Sequence, residues 1–577
     1  MKNKNIFFKL IFVLSLIMFT DCETFDLEQT VNPNDVNNKL LDPLYAFNYV
    51  QLLLPDFFDS ANNFTQQVTR QVAMTGGKTY DNAFEPVNSN NNWTTGYLLL
   101  NAIKILQPKA ISTKQFDVQA GSKIIKAYVL LTLVDLYGDV PYTEALLGNE
   151  NLEPKFDKSS DVYKKAIIEL DEAIAIIDNG ASQRGEAYDL YYGTGKDKKF
   201  DKDKWKTLAK TLKFRALVTA RKAGALLGLD IASELTSLMA GDLIDTSIED
   251  FVFKYSTERD NPNSRHPFYN DGYDQGFSSS PSYLSNYFMW TMVREKPLNF
   301  SDSQTANLVD PRTKYYFYNQ VGDANGSDTF SLPCKVTSRP EHYNFSQYAS
   351  FYKSDRLSPF CTTRILPSSA ATPYWGSDHG NSSGRPQDAD KVTLVGLYPA
   401  GGKFGGGTAA RSFGTTGEKG AGIAPILLSS FVRFLKAEVQ YTVFNNPAAA
   451  KIEMDLGINA SINKSTTLFA GYLQPTALEI TKYLTYVDTF YDNNPSKQLE
   501  TIMKEFYIAS WGNGIEAYNN YRRTGFPSNM QPTLEPSSVS YFFTAYYPSA
   551  SVASNPNAPE NVRTKKTFWD INSPVLQ

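Results

Sequence analysis

Cysteine and histidine are scarce in this chain, with three of each in 577 residues. Cys22, Cys334 and Cys361 allow at most one disulfide, so cross-links do not organise the fold. His266, His342 and His379 lie far apart, and neither HExxH nor CxxC occurs, which leaves a zinc enzyme without a ligand set. Charge of one sign is lacking too. Lys and Arg number 56 against 60 Asp and Glu, a net charge of −4 that excludes a broad basic footprint for nucleic acid. No stretch after residue 22 approaches the ~18 uninterrupted apolar residues of a spanning helix. Nucleophile elbow and P-loop are both missing, and the Gly402–Gly407 run lies outside any strand–turn–helix context.

Aromatic residues are plentiful, at 14%, and with only 6 Trp the excess sits in 35 Tyr and 37 Phe. Tyrosine offers a ring face and a hydroxyl together, which suits extensive recognition loops as well as cores. Hydrophobic residues at 42% and charged residues at 20% are ordinary for a folded chain.

The most legible stretch runs from Gly121 to Ala145, GSKIIKAYVLLTLVDLYGDVPYTEA. Ile124, Ile125, Tyr128, Leu131, Val134 and Leu136 recur at helical spacing among few charges, which predicts a helix buried nearly all round. Gly138 stands where a left-handed C-terminal cap is expected, and Pro141 keeps the helix from resuming. A second helix follows, with Tyr163, Ala166, Ile167, Leu170, Ala173, Ile174 and Ile177 on one stripe. Ser160 is its expected N-cap and Asn179-Gly180 its end. Such a helix pair cannot bury its own outer face, so further helices must stack on it.

The N-terminus reads as an address. Lys2, Lys4 and Lys9 precede an apolar run from Leu10 to Phe19, and Cys22 follows, although Asp21 stands where a small residue is usual. Residues 1–21 are therefore expected to be a lipoprotein signal, with acyl chains on Cys22 anchoring residues 22–577 to a membrane.

Apolar helical stretches are expected at Leu40–Leu54 and Asn62–Arg70, then a Gly- and Asn-rich loop from Thr75 to Asn92, then a helix opened by Trp93, Tyr97, Leu98 and Asn101. Asp197, Asp201 and Asp203 lack the spacing of a calcium loop and alternate with lysines, which favours a solvated turn. Trp205 then starts a long helix whose Arg215 and Arg221 need partners if buried. From about 242 to 425 the helical period largely disappears and short strand-like runs such as Phe251–Tyr255 take over. Helices are expected again at Ile426–Tyr441, Thr466–Val487 and Lys497–Trp511. The Arg522-Arg523 pair is expected to be structural, and His379 to hydrogen-bond a loop.

Several of these patches together resemble the SusD/RagB-like nutrient-binding outer-membrane lipoproteins. They are LYGDVP followed by Glu144 and Ala145, LKFRAL after Trp205, Asp310-Pro311-Arg312, the segment YWGSDHGNSSGRPQD from Tyr374, and GLYPAGG from Gly396 to Gly402. GIEAYNNYRRTGFP (514–527), Tyr547-Pro548 with Asn555, and the closing Trp569-Asp570 complete the order, with Ser551 near where the family carries Glu. Glu23, Asp26 and Glu28 after the cysteine are similar to the family's export signal.

The resemblance implies a mainly α fold: TPR-like helix pairs at about 40–241 and 426–527, with a loop-rich insertion at about 242–425. It also implies capture of a glycan or peptide at the cell surface for a SusC-like TonB-dependent transporter, with no covalent chemistry, no cofactor and no metal. By position in the family, Tyr80, Asp81 and Trp93 of the early loop are candidate ligand contacts, joined by Tyr273, Tyr287, Trp290 and Trp375 of the insertion. Sugar rings present flat C–H faces to aromatic rings, which is the chemistry these residues would supply. The rival readings are a helical glycoside hydrolase, which needs two carboxyls ~5 to ~9.5 Å apart in a cleft, and a structural or adhesive surface lipoprotein.

Overall fold

In the computed structural model the frame begins with helices α1 (Pro43–Val68), α2 (Asn90–Ser112) and α3 (Phe116–Tyr137). The structure describes residues 42–74, 90–183, 185–274, 282–293, 295–298, 308–320, 376–377, 379–380, 392–405, 416–531, 533, 541–562 and 564–570. The expected signal at residues 1–21 and Cys22 lie outside them.

Helix α3 is buried on every side, as its sequence predicts. After its first turn only Lys123 and Lys126 reach solvent. Both are used to clamp α4 (Ser159–Asn179): each binds Glu169, at 2.6 and 2.8 Å, and Lys123 also binds Glu172 at 2.7 Å. Val162, Tyr163, Ala166, Ile167, Leu170 and Ala173 of α4 are buried, while Ile174 and Ile177 are half-buried.

The turn between these helices departs from two expectations. Gly138 has φ +81° and ψ −116°, a positive φ outside the left-handed helical region. Gly138 N–H still donates to Val134 O (2.8 Å), and the C-terminal segment takes the last two carbonyls of the helix: Ala545 N–H donates to Leu136 O (2.7 Å), and the Tyr547 hydroxyl lies 3.1 Å from Tyr137 O. At the other end Ser160 is not the cap of α4. Asp139 Oδ1 accepts the Ser159 N–H at 2.8 Å, so the acidic residue of LYGDVP starts the next helix.

Helix α1 runs unbroken through Pro55, where two separate stretches are expected from the sequence. Proline removes one intrahelical hydrogen bond, but Phe47, Val50, Leu54, Phe57, Phe58 and Ala61 are all fully buried on one side. At roughly 1.5–3 kcal/mol per large apolar side chain, that burial exceeds the penalty of about 3 kcal/mol.

Helix α5 (Lys202–Thr219) is capped by Asp201, whose side chain accepts Lys204 N–H at 3.2 Å. The preceding loop is held by Asp189, which is fully buried. Its two oxygens accept the N–H groups of Tyr191 and Tyr192 (both 2.9 Å), Asp201 N–H (3.2 Å) and the Trp205 indole (2.9 Å). Arg215 and Arg221 find carboxylates across the fold, Glu516 and Glu438. Helix α6 (Ile231–Met239) follows.

The chain then leaves the frame through strand β1 (Phe251–Lys254). Short helices at Pro267–Tyr273, Glu295–Leu298 and Thr313–Tyr316, helix α7 (Asn286–Val293), and strands β2 (Phe317–Tyr318) and β3 (Leu394–Val395) give this stretch more regular structure than its composition suggests. It re-enters through β4 (Ile423–Leu427), which pairs antiparallel with β1, Lys254 opposite Ile423. β2 and β3 form a second antiparallel pair. Gly396 of GLYPAGG passes so close to this pair that an added Cβ would lie 2.3 Å from Tyr315 O, and Gly401 has φ +68°. Only glycine fits both places.

The helix predicted from Ile426 begins at Ser429 instead, because Ile426 and Leu427 are committed to β4. It is α8 (Ser429–Thr442). The predicted helix at Thr466–Val487 is two: α9 (Pro447–Thr467) and α10 (Ala477–Asn493). Thr476 breaks them apart with a capping box to Glu479. Helices α11 (Gln498–Ala509) and α12 (Gly514–Thr524) complete the frame. Arg522 and Arg523 are buried and structural: Arg522 donates to Phe543 O (2.6 Å), and Arg523 grips both Glu438 oxygens (2.8 and 2.7 Å).

A neutral ionic knot joins the inserted stretch to the frame. Arg312 binds Asp310 at 2.6 Å and Glu505 at 3.3 Å, Lys296 binds Glu505 at 3.0 Å, and the Tyr483 hydroxyl donates to Asp310 at 2.7 Å. Burial pushes the Asp310 carboxyl up, yet Arg312 and Lys296 outweigh it and hold it below the usual carboxylate range.

His266 caps the helix at Pro267–Tyr273, its Nδ1 accepting Phe268 N–H at 3.1 Å. Burial drives its pKa down to about 3. The folded protein therefore leaves this ring neutral where the unfolded chain, near 6.5, binds a proton, and His266 withdraws stability as pH falls below about 6.5. His266→Asn keeps a capping acceptor without a titrating ring. On going from pH 6.5 to 5 in guanidinium titrations it should lose about 2 kcal/mol less stability than the parent, at ~1.4 kcal/mol per pH unit. Equal losses would show that the ring stays accessible to protons.

Candidate functional site

Hydrogen bonds, mostly between backbone groups, knit four distant stretches of chain together beyond the C-terminus of α1. Ala73 N–H donates to Tyr283 O (2.9 Å), and Val72 bridges Leu284 in antiparallel fashion. Ser377 N–H donates to Leu284 O and Asn286 N–H to Ser377 O, both at 3.0 Å, while Gly380 N–H donates to Met74 O at 2.7 Å. Arg70 Nε donates to Gln531 O (2.8 Å), and the Gln531 side-chain oxygen accepts His379 N–H (3.1 Å). Gly376 lets the strands of this knot approach: a Cβ there would lie 2.4 Å from Leu284 O. The His379 ring is held neutral by burial and by the positive charge of Arg70.

This knot roots the segments that carry three of the predicted ligand residues. Tyr80, Asp81 and Trp375 themselves lie outside the described residues. Met74, before the first two, and Gly376, after the third, both belong to the knot.

Tyr287 and Trp290 sit on α7, directly after the knot, but point into the core at 1% and 6% exposure. The Tyr287 hydroxyl donates to Asn529 Oδ1 and accepts from Lys504 Nζ, both at 3.0 Å. Lys504 also binds Glu295 at 2.9 Å, and burial lowers its pKa. These two aromatics are core rather than ligand surface. The same correction applies to Tyr273, which is fully buried, stacked on Tyr269 at 4.9 Å and donating its hydroxyl to Val395 O at 2.7 Å. Aromatic residues in a Gly- and Ser-rich stretch look available in sequence; here they supply the apolar filling that such a stretch otherwise lacks.

Trp93 is the one predicted contact that is described and half-exposed. It opens α2 and stands in an aromatic cluster with Tyr97 (4.8 Å), Tyr137 (5.0 Å), Phe156 (6.2 Å) and Tyr547 (6.0 Å). The cluster is fixed from below. Tyr97 donates to Pro141 O (2.7 Å), Tyr547 to Asp139 O (2.8 Å), and Tyr137 to Asn92 Oδ1. Among the described residues the Trp93 indole N–H has no hydrogen-bond partner. A half-exposed indole fixed by its neighbours is of the chemical type that can stack on a sugar and bind a hydroxyl. Phe156 and Tyr547 were not foreseen as its companions, although Tyr547-Pro548 is a recognisable patch of the sequence.

The SusD-like family described as "Starch-binding associating with outer membrane" matches residues 37–350 and 388–548. The chain belongs to this family. Solved structures of SusD-like proteins share its helical fold. A chitin-binding protein superimposes with a TM-score of 0.64 at 18% identity, over 92% of this chain and all (100%) of the other. A SusD/RagB family protein from Bacteroides thetaiotaomicron gives 0.63 at 17% identity, over 92% and 100%. A chitin-binding SusD homolog from Flavobacterium johnsoniae gives 0.59 at 18%, over 92% and 98%. No curated protein sequence matches the chain. Among the described residues no helix is long and apolar enough to cross a membrane, and no group of His, Cys, Asp or Glu is placed to hold a metal ion.

Proposed function

We propose that this SusD-like protein binds an oligosaccharide at the outer face of the outer membrane, tethered through Cys22, and passes it to a SusC-like TonB-dependent transporter. The observation that carries the reading is the family match, which spans the helical frame and most of the inserted stretch in a family described as starch-binding. Two structural relatives named as chitin-binding favour a glycan over a peptide. The knot at Met74, Leu284, Ser377 and Gln531 supports it physically, because loops rooted on a rigid base hold recognition groups in place. The function is binding, with no covalent step.

Calorimetry of the purified protein with starch- and chitin-derived oligosaccharides, and with a peptide of similar length, tests the ligand class. Turnover of any of these would instead establish the hydrolase. Affinity capture from solubilised envelopes should recover a TonB-dependent barrel; its absence would favour an adhesive role.

Two expected results follow from named residues. Trp93→Phe keeps a ring in the cluster but gives up the indole face and its donor. It should weaken oligosaccharide binding roughly 3- to 10-fold, about 0.7–1.4 kcal/mol, and an unchanged Kd would remove Trp93 from the ligand surface. Cys22→Ser should move the protein from the membrane pellet to the soluble fraction, and an unmodified mature chain still containing Asp21 would exclude lipidation.

A further inference from the structure

Where α5, α6, α8, α11 and α12 converge, the frame forms a pocket of about 380 Å³ that is open to solvent and within the size range of small-ligand pockets. It is lined by Arg221, Lys222, Ile231, Thr442, Leu499 and Arg523, among others. None of its lining residues belongs to the loop-root knot or to the Trp93 cluster.

Its charges do not balance. Arg221 binds Glu438 at 2.6 Å and Arg523 binds the same carboxylate at 2.7 Å, while Lys222 has no hydrogen bond or ion pair among the described residues. Two buried guanidiniums thus share one buried carboxylate, an excess of one positive charge, and the exposed Lys222 adds a further cation at the rim. The Arg312 knot is built on the opposite rule, two cations against two carboxylates. A merely structural cluster is expected to resemble that knot, since uncompensated buried charge is costly.

Glu438 is already engaged by both forks, so it has little left for Lys222. The C-terminal ends of α8 and α12 bring partial negative charge, and Asp570 exerts a weaker pull on Lys222; together they leave the cavity cationic. Burial and the neighbouring Arg221 hold Lys222 below the ordinary lysine range, and burial does the same to Arg221 against the pull of Glu438. Both would be relieved by an anion between them. The Arg221 Nη1 contacts Val218 O and Glu438, and the residue lines the cavity. Ile231 and Leu499 supply an apolar wall.

We propose that this cavity is a binding site for a small molecule carrying an oxyanion (a carboxylate, sulfate or phosphate group), held between Lys222 and Arg221 with its apolar part against Ile231 and Leu499. The site is separate from oligosaccharide capture and does not depend on it.

The test is calorimetry of the mature protein with inorganic phosphate, sulfate and glucuronate, each at ionic strength matched with chloride. At least one should bind above the chloride control. Lys222→Ala, a change at an exposed residue, should weaken that binding about tenfold and leave the melting temperature of the apo protein unchanged. Lys222→Glu should abolish it. Phosphate or sulfate binding without glucuronate would assign an ester anion, and the reverse would assign a uronate-type carboxylate. No binding by any of the three, or equal affinity in parent and Lys222→Ala, would overturn the proposal.

Discussion

Replacing Arg312 with Met should cost the fold about 3–5 kcal/mol, because it strands carboxylates inside the protein. Arg312 and Asp310 are both fully buried, and their side chains meet through two hydrogen bonds of 2.8 and 2.6 Å. Without the guanidinium, Lys296 alone must serve Asp310 at 4.0 Å and Glu505 at 3.0 Å. Urea titration followed by tryptophan fluorescence would show the midpoint drop. The double change Arg312→Met with Asp310→Leu should recover part of the loss, since Lys296 and Glu505 then remain as a matched pair. A single variant with the stability of the parent would mean that water reaches the knot.

Asp189→Asn should be nearly as damaging, by about 2–4 kcal/mol, although it changes one atom. Each carboxylate oxygen of Asp189 accepts two N–H groups: Tyr191 and Tyr192 on one, Asp201 and the Trp205 indole on the other. An amide must turn its NH2 toward one of these pairs and leave two buried donors without an acceptor, at about 1–3 kcal/mol each. Asp201→Asn provides the contrast. Asn caps helices as well as Asp does, so the change there should stay under about 1 kcal/mol. Similar midpoints for the two variants in guanidinium would refute the four-donor account.

The contrast between these two aspartates shows what the sequence makes visible. In DLYYGTGKDKKFDKDKW the aspartates at 189, 197, 201 and 203 look alike, and only the fold singles out the first as a buried staple. Periodicity found α3 and α4 because nearly every apolar residue there does one job. It divided α1 at Pro55, where burial of Phe57, Phe58 and Ala61 overrides a local preference. It missed most of α9, where Ala450, Met454, Ile458 and Ile462 form only a narrow i, i+4 stripe and the other buried residues, Gly457, Ser461, Ser465 and Thr466, are small or polar.

Of the candidate ligand residues, Trp93 stays half-exposed, whereas Tyr273, Tyr287 and Trp290 are core. Composition says that a stretch has rings to offer. It does not say which of them the stretch needs for its own interior. The knot beyond α1 left no mark in the sequence, because it is made mostly of backbone hydrogen bonds between residues far apart in the chain.

The pairing of β1 with β4 has an evolutionary corollary. The chain departs from the helical scaffold and returns to it through one gate two strands wide. Lengthening a loop between the gateposts adds closure entropy only slowly, about 0.6 kcal/mol per doubling. New specificities can therefore be tried out behind that gate by insertion and deletion, while the helices that carry the load keep their register.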